Sequence, residues 1–213
     1  MLDQITVNTQ SSIRIEGSAV CVFDPQQIVI TAQDADIVFI THPHGDHFDP
    51  KSAAKLLKPD AVLVCPKTME KEALAVGLLP DAQIVFASPY EEFTCKGVHV
   101  LPIPAYNVGK PFHPKKNQWL GYVVTIDGTS YYVAGDTDPN EDNEKVRCDV
   151  ALIPVGGFYT MDIRQAAELV AKIAPKYAVP THYGSIVGSI DDGRKFSKLL
   201  QKTAPSVQAV IKL

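Results

Sequence analysis

The segment Thr41–Asp49, Thr-His-Pro-His-Gly-Asp-His-Phe-Asp, holds three of the six histidines in the 213-residue chain. An apolar run over residues 36–41 leads into this segment and predicts a buried strand. Pro43 and Gly45 interrupt regular structure, so the segment is predicted to form a tight turn where that strand ends. A lone His-x-His is usually a surface pair. Four potential ligands within about six residues are much rarer by chance, and they predict a metal site.

The composition limits the classes of protein that the chain can belong to. Its length suits an α/β domain, and residues 1–213 are predicted to form a single domain. The net charge of −4 gives no general attraction to nucleic acid, although it leaves room for a local basic patch, and a small-molecule partner is expected. No apolar run approaches the ~20 residues of a membrane span, and the first four residues show neither the basic region nor the apolar core that a signal peptide would have. A cytoplasmic protein is therefore expected, with its four scattered cysteines as free thiols.

The order of predicted elements indicates a layered α/β fold. Short alternating runs predict strands in the first 24 residues, and strands then alternate with helices in each half of the chain. Two sheets packed together, with helices outside them, would bury the apolar faces of these elements. The helices are predicted over residues 50–57 (with Asp49 as the cap), 67–76, 162–173 and 192–202.

Polar groups follow three predicted strands where core residues would not be expected. The first is the histidine-rich turn, the second is Asp136 after the run 130–134, and the third is His182 after the run 178–180. Together they supply four histidines and two aspartates, enough for two metal ions that share a bridging carboxylate. Such a pair of ions can bind a hydroxide and polarise a substrate oxygen at the same time.

The three motifs, Thr-His-Pro-His-Gly-Asp-His, Gly-Asp-Thr and Pro-Thr-His, occur in an order that resembles the metallo-β-lactamase superfamily. The resemblance implies a four-layer αβ/βα sandwich with the metals at one edge of the two sheets. It also implies a role for Asp46 in orienting the attacking water. Histidine-rich sites without cysteine suit Zn²⁺, so two Zn²⁺ ions are expected, with Mn²⁺ or Fe as alternatives. By motif, the first metal would bind His42 and His44, the second Asp46, His47 and His182, and Asp136 would bridge them.

The superfamily usually supplies one more histidine to the first metal, and this chain offers His99 or His113. His99 lies inside an alternating run and is predicted to be an exposed strand residue. His113 lies in the proline- and lysine-rich loop over residues 104–118, and we favour it as a ligand or substrate contact. The alternative is a loop histidine that bonds to nearby backbone carbonyls.

The same loop holds three candidate substrate contacts, Tyr106, Asn107 and Lys115. Turn chemistry explains the first two equally well, and a loop lysine is more often only solvated. The pattern Ala-Tyr-Asn, Phe-His-Pro-Lys and Trp-Leu-Gly-Tyr is similar to a small-hydrolase subgroup near the ascorbate-phosphate lactonase and phospholipase D-like branches.

The function expected from these motifs is metal-dependent hydrolysis of an ester, lactone or phosphodiester by a metal-bound hydroxide. One alternative is an RNA-processing nuclease, which would carry a basic arm or patch. The other is a non-catalytic metal-binding or redox module. A flavodiiron-type reductase would place a carboxylate at or near His44 and would carry a flavodoxin domain, and the sequence has neither feature.

Overall fold

The computed structural model describes residues 2–28, 32–77 and 83–213. Within these ranges the strands form two sheets. The first sheet has the order β1-β2-β3-β4-β5-β6, so neighbours in space are also neighbours in sequence. Its strands are Ile5–Thr9 (β1), Ser12–Glu16 (β2), Val20–Phe23 (β3), Ala35–Phe39 (β4), Leu57–Pro66 (β5) and Gln83–Ala87 (β6).

The second sheet has the order β13-β12-β11-β10-β9-β8-β7. Its strands are Phe93–Cys95 (β7), Val98–Pro104 (β8), Leu120–Ile126 (β9), Thr129–Val133 (β10), Val150–Pro154 (β11), Tyr177–Thr181 (β12) and Gln208–Ala209 (β13).

Both sheets begin antiparallel and continue parallel. Strands β1 to β3 pair antiparallel and β3 to β6 pair parallel. Likewise β7 to β10 pair antiparallel and β10 to β13 pair parallel. The carboxyl ends of the parallel strands therefore meet at one edge of each sheet, which is where open α/β sheets place their ligands.

Among the described residues, four α-helices accompany the sheets, namely Pro50–Leu56 (α1), Glu70–Leu74 (α2), Ile163–Ile173 (α3) and Asp192–Thr203 (α4). The predicted bounds of α1, α3 and α4 agree with these, and Asp49 caps α1 by accepting from the backbone N–H groups of Lys51 and Ser52. The helix predicted over residues 67–76 is shorter. It starts as a 3₁₀ turn, and the N–H groups of Ala75 and Val76 bond three residues back, which ends the α-helical ladder.

Three apolar clusters define four layers. Between the sheets, residues from both inner faces pack together, among them Ile15 of β2 and Tyr122 of β9. Helices α1 and α2 pack on the outer face of the first sheet, and α3 and α4 on the outer face of the second. Alternation along β5 shows why both faces are covered, because Val62 and Val64 enter the inner core whereas Leu63 enters the outer one. The expected αβ/βα sandwich is confirmed.

The end of β4 is attached to the second sheet. The Leu120 N–H donates to the Thr41 carbonyl at 3.1 Å, and the buried Tyr122 hydroxyl donates to the Ile40 carbonyl at 2.8 Å. Gly135 has a φ of +63°, and a Cβ there would lie 3.1 Å from the side chain of Thr41. Only glycine allows this backbone conformation together with so close an approach. The histidine-rich turn is thereby held against the second sheet.

In the described part of the chain, no helix is both long and apolar enough to cross a membrane. All four cysteines are free thiols, as expected.

Candidate metal centre

The histidine-rich segment forms the predicted turn directly after β4. The N–H groups of His47 and Phe48 both bond to the carbonyl of His44 at 2.9 Å. At its start, the Thr41 N–H and hydroxyl donate to the two carboxylate oxygens of Asp24, at 2.8 and 2.7 Å. The turn thus presents its histidines to the sheet edge with their rings in contact.

The structure brings His113 together with two histidines of the turn. One donor atom from each of His42, His44 and His113 can be chosen so that all three lie within 4.8 Å of one another. Asn107 orients His113, because its side-chain oxygen accepts from both the backbone N–H and the Nδ1 of His113, each at 3.0 Å. His99, the other candidate, is half exposed and bonds to Glu92 at 3.1 Å on the surface.

A second group of three donors, again within 4.8 Å, consists of Asp46, His47 and His182. Asp136 lies between the two groups. Its Oδ1 is 3.2 Å from His47 Nε2, and its Oδ2 is 3.2 Å from His182 Nε2 and 3.3 Å from His113 Nε2. Asp136 is therefore placed as a bridging ligand would be.

Burial and neighbouring charges shift the pKa values of the Asp136 and His182 side chains in opposite directions. Burial disfavours the charged Asp136, yet the neighbouring His182 and His47 hold its pKa well below the usual range. Burial opposes the charged form of His182 as well, but the Asp136 carboxylate raises its pKa to about 9. In His42, burial dominates and lowers the pKa well below the ordinary value. The neighbouring histidines therefore favour the ionised form of Asp136.

A cation fits this donor set. Within the described residues, His47 Nε2, His113 Nε2 and Asp136 Oδ1 are buried without a hydrogen-bond partner. Buried polar atoms without partners are costly, and these three converge where a metal ion would satisfy them. Imidazole nitrogens and carboxylate oxygens without a thiolate suit Zn²⁺, Mn²⁺ or Fe.

Two buried residues at the centre escaped the sequence analysis. Asp24 accepts from His47 Nδ1 at 2.7 Å, an arrangement that orients a metal-binding histidine. Gln10 has its side-chain nitrogen 3.3 Å from His182 Nε2. Of these two residues, only Asp24 could have been found from the sequence. A parallel pairing of β3 with β4 puts the residue after Phe23 beside the start of the histidine-rich turn.

Of the predicted substrate contacts, Asn107 touches His113, but Tyr106 and Lys115 point elsewhere. The Tyr106 hydroxyl donates to Asp142 at 3.0 Å, and the Lys115 ammonium lies 3.0 Å from Glu141 and 3.2 Å from Asp142. Tyr106 and Lys115 line a separate cavity of about 260 Å³.

The candidate metal donors open into a cavity of about 340 Å³. His44, Asp46, His113 and Asp136 line it, together with the apolar side chains of Phe112, Tyr159 and Ile186. Phe158, exposed to 69%, packs against Phe112 and Tyr159 at ring-centroid distances of 5.4 and 4.8 Å. The centre is thus reached through an aromatic mouth.

Comparison with known proteins finds similarity over most of the chain. A family model described as a β-lactamase superfamily domain matches residues 4–182. A UPF0173 metal-dependent hydrolase from Thermococcus kodakarensis is 29% identical over 91% of this chain and 90% of its own length. Another from Nitratidesulfovibrio vulgaris is 30% identical over 86% and 79%. The solved structure of a candidate metal-dependent hydrolase from Parabacteroides distasonis is 27% identical, with a TM-score of 0.80 over 98% of this chain and 92% of the other.

Proposed function

The chain belongs to the β-lactamase superfamily, and from that membership we propose that it is a hydrolase that depends on two divalent metal ions, with zinc as the leading candidate. The observation that carries the proposal is the pair of three-donor groups with Asp136 between them. His42, His44 and His113 would hold the first ion. Asp46, His47 and His182 would hold the second.

When bound, the ions would supply Lewis acidity, which lowers the pKa of water and polarises a substrate oxygen. The residues of the chain contribute position and exclusion of solvent. Asp46 lines the cavity with its side chain 21% exposed, so its carboxylate can accept a hydrogen bond from a water molecule and orient that water. His44 is half-buried at the cavity wall, and the other candidate ligands are buried, which keeps them in place while substrate enters and leaves.

The mouth of the cavity supports a small-molecule ester, lactone or phosphodiester that carries an apolar group. Phe112, Phe158 and Tyr159 form its aromatic side. The Asn107 amide fixes this side by donating to the Tyr159 carbonyl at 2.9 Å. Lys110, the nearby cation, is already paired with Asp138 at 2.6 Å. Contact with this aromatic side therefore contributes more binding free energy for an apolar group on the substrate than for an anionic group.

The proposal is tested by metal content and hydrolysis measured on the same samples. Wild type and His113→Ala are purified without chelator, and His99→Ala serves as the matched control because it removes an exposed histidine. We expect wild type and His99→Ala to bind two metal ions per chain and to hydrolyse aryl ester, lactone or bis-aryl phosphodiester substrates. His113→Ala should hold about one ion and lose activity.

A wild-type chain that takes up no Zn²⁺ or Mn²⁺ after reconstitution would overturn the proposal. Full metal content in His113→Ala, with only the KM altered, would move His113 from the ligand set to the substrate cavity.

A further inference from the structure

Gln10 occupies an unusual position for a turn residue. It lies between β1 and β2 with a φ of +50°, and only 1% of its surface is exposed. Polar side chains in hairpin turns ordinarily face water, because burial of a carboxamide without hydrogen bonds costs free energy. The β1–β2 turn instead points its side chain inward, to the edge where the two sheets meet.

The turn is attached to His182 through the backbone. The His182 N–H donates to the Gln10 carbonyl at 2.9 Å, although the two residues belong to different sheets. His182 also has a left-handed φ, of +55°. The carboxamide of Gln10 is therefore held beside the imidazole of His182.

The Gln10 side chain faces the functional side of that imidazole. Its Nε2 lies 3.3 Å from His182 Nε2. The same ring nitrogen lies 3.6 Å from Asp46 Oδ2 and 3.2 Å from Asp136 Oδ2, so it is the atom directed at the second group of donors. Gln10 thus lies beside the ring nitrogen that faces Asp46 and Asp136.

One end of the carboxamide has no partner. Gln10 Oε1 is buried and accepts no hydrogen bond from the described residues. The two ends of a carboxamide have nearly the same size, and a half-turn about the terminal bond exchanges oxygen for NH₂. A cation bound to His182 Nε2 would occupy the lone pair that the NH₂ group of Gln10 now faces. The carboxamide oxygen, which is attracted to a cation, would then be the end of the Gln10 side chain that faces His182.

The spacing agrees with a ligand role. Two ligands about 2.1 Å from one ion are about 3.0 to 3.4 Å apart when they subtend about 90° to 110° at the ion, as they would in a five-coordinate site. The distances from His182 Nε2 to Asp46, Asp136 and Gln10 are 3.6, 3.2 and 3.3 Å. We propose that Gln10 is a further oxygen donor at the second metal position, supplied by the first hairpin of the chain.

This inference rests on the proposed metal centre, and its test is metal binding rather than catalysis. Affinity for Co²⁺ and Zn²⁺ is measured by competition with a chromophoric chelator, and the visible spectrum of the Co²⁺-loaded chain reports the coordination of the ion. Gln10→Leu removes the donor at similar volume, and Gln10→Glu restores an oxygen. Asn8→Leu, in the same hairpin and hydrogen-bonded only to backbone carbonyls in the described ranges, is the control.

We expect Gln10→Leu to weaken the binding of one of the two ions about tenfold or more and to change the Co²⁺ spectrum, by analogy with the loss of other groups around metal sites. Gln10→Glu should retain wild-type affinity or exceed it, and Asn8→Leu should leave both readouts unchanged.

If Gln10→Leu fails to fold, Gln10→Glu decides alone, and weakened metal binding in that variant overturns the inference. Wild-type affinity and spectrum in Gln10→Leu overturn it too, while leaving the proposed function intact. A wild-type chain that binds no metal would sink the proposed function and this inference together.

Discussion

At the scale of single residues, three of the five histidine rings of the candidate centre are oriented by the nitrogen that faces away from it. Nδ1 of His42 bonds to the Thr41 hydroxyl at 3.0 Å, Nδ1 of His47 to Asp24, and Nδ1 of His113 to Asn107. Each bond leaves the Nε2 lone pair of its ring available to a cation. Orientation by such partners raises metal affinity because less freedom is lost on binding.

Asp24→Asn should therefore weaken metal binding without unfolding the chain. The carboxamide keeps an acceptor for the Thr41 N–H, but it loses the negative charge that supports His47. We expect metal affinity to fall about 10- to 100-fold, measured by chelator competition.

Asp60→Asn, which removes an exposed carboxylate paired with Lys96, is the control and should bind metal as wild type does. Equal affinity in Asp24→Asn and wild type would show that Asp24 only secures the turn.

At the scale of elements, the parallel strands of the second sheet are held in register at their amino-terminal ends as well as at the carboxyl ends that carry the candidate ligands. Asp149, just before β11, does this at the edge opposite to the metal donors. Its Oδ2 accepts from the N–H and hydroxyl of Ser130 in β10 at 3.0 and 2.8 Å, and its Oδ1 is 2.8 Å from the Lys176 ammonium just before β12. One carboxylate thus joins the starts of three strands.

These contacts give a pH-dependent contribution to stability. The Lys176 ammonium and the Ser130 donors lower the pKa of Asp149 to about 2, against about 3.9 in an unfolded chain. The stabilisation is complete above the unfolded value and is lost as the pH falls toward 2. Since the Asp149 side chain is 24% exposed and Lys176 69% exposed, we expect Asp149→Asn to cost only about 1 kcal/mol at pH 7.

Urea unfolding of wild type and Asp149→Asn at pH 7 and pH 3 measures this effect. The difference in unfolding free energy between the two proteins should be smaller at pH 3. Glu91→Gln, an exposed carboxylate change, should show no comparable trend. A difference that is as large at pH 3 as at pH 7 would assign it to packing rather than to charge.

At the scale of the whole molecule, the candidate ligands join the two sheets. His42, His44, Asp46 and His47 follow a strand of the first sheet, whereas His113, Asp136 and His182 belong to segments of the second. A bound ion would therefore connect both halves of the sandwich, and an unfolded chain cannot hold these groups together. Metal binding and folding are coupled in such a case.

Removal of metal should lower the stability of the whole chain. With free Zn²⁺ at 100 times its Kd, the folded state gains about 2.7 kcal/mol per independent site, so a chelator should lower the unfolding free energy by at least that amount. Thermal unfolding with and without chelator, checked by reloading with Zn²⁺, measures the change.

His99→Ala should retain the full metal-dependent gain, and His113→Ala only part of it. An unfolding temperature that is independent of metal in wild type would contradict the cross-linking role of the centre.

The sequence alone determined the elements and most of the candidate ligands. The Asp49 cap followed by Pro50 predicted α1, and residue spacing predicted α3 and α4, each within a few residues, because capping and burial act on each element locally. The turn at His42–His47 could be predicted as a metal-binding segment because its donors are close in sequence. Family membership follows from the order of the three motifs, and the αβ/βα layers follow with it.

Tertiary structure alone decided which distant groups meet those ligands. Asp24 reaches His47 because β3 pairs parallel with β4, and Gln10 reaches His182 because a hairpin of one sheet abuts a strand end of the other. His113, rather than His99, faces the histidine-rich turn. Asn107 orients it from within a loop whose sequence has no repeating pattern. Such contacts depend on strand register and on the packing of the two sheets, and local patterns in a single chain carry no record of either.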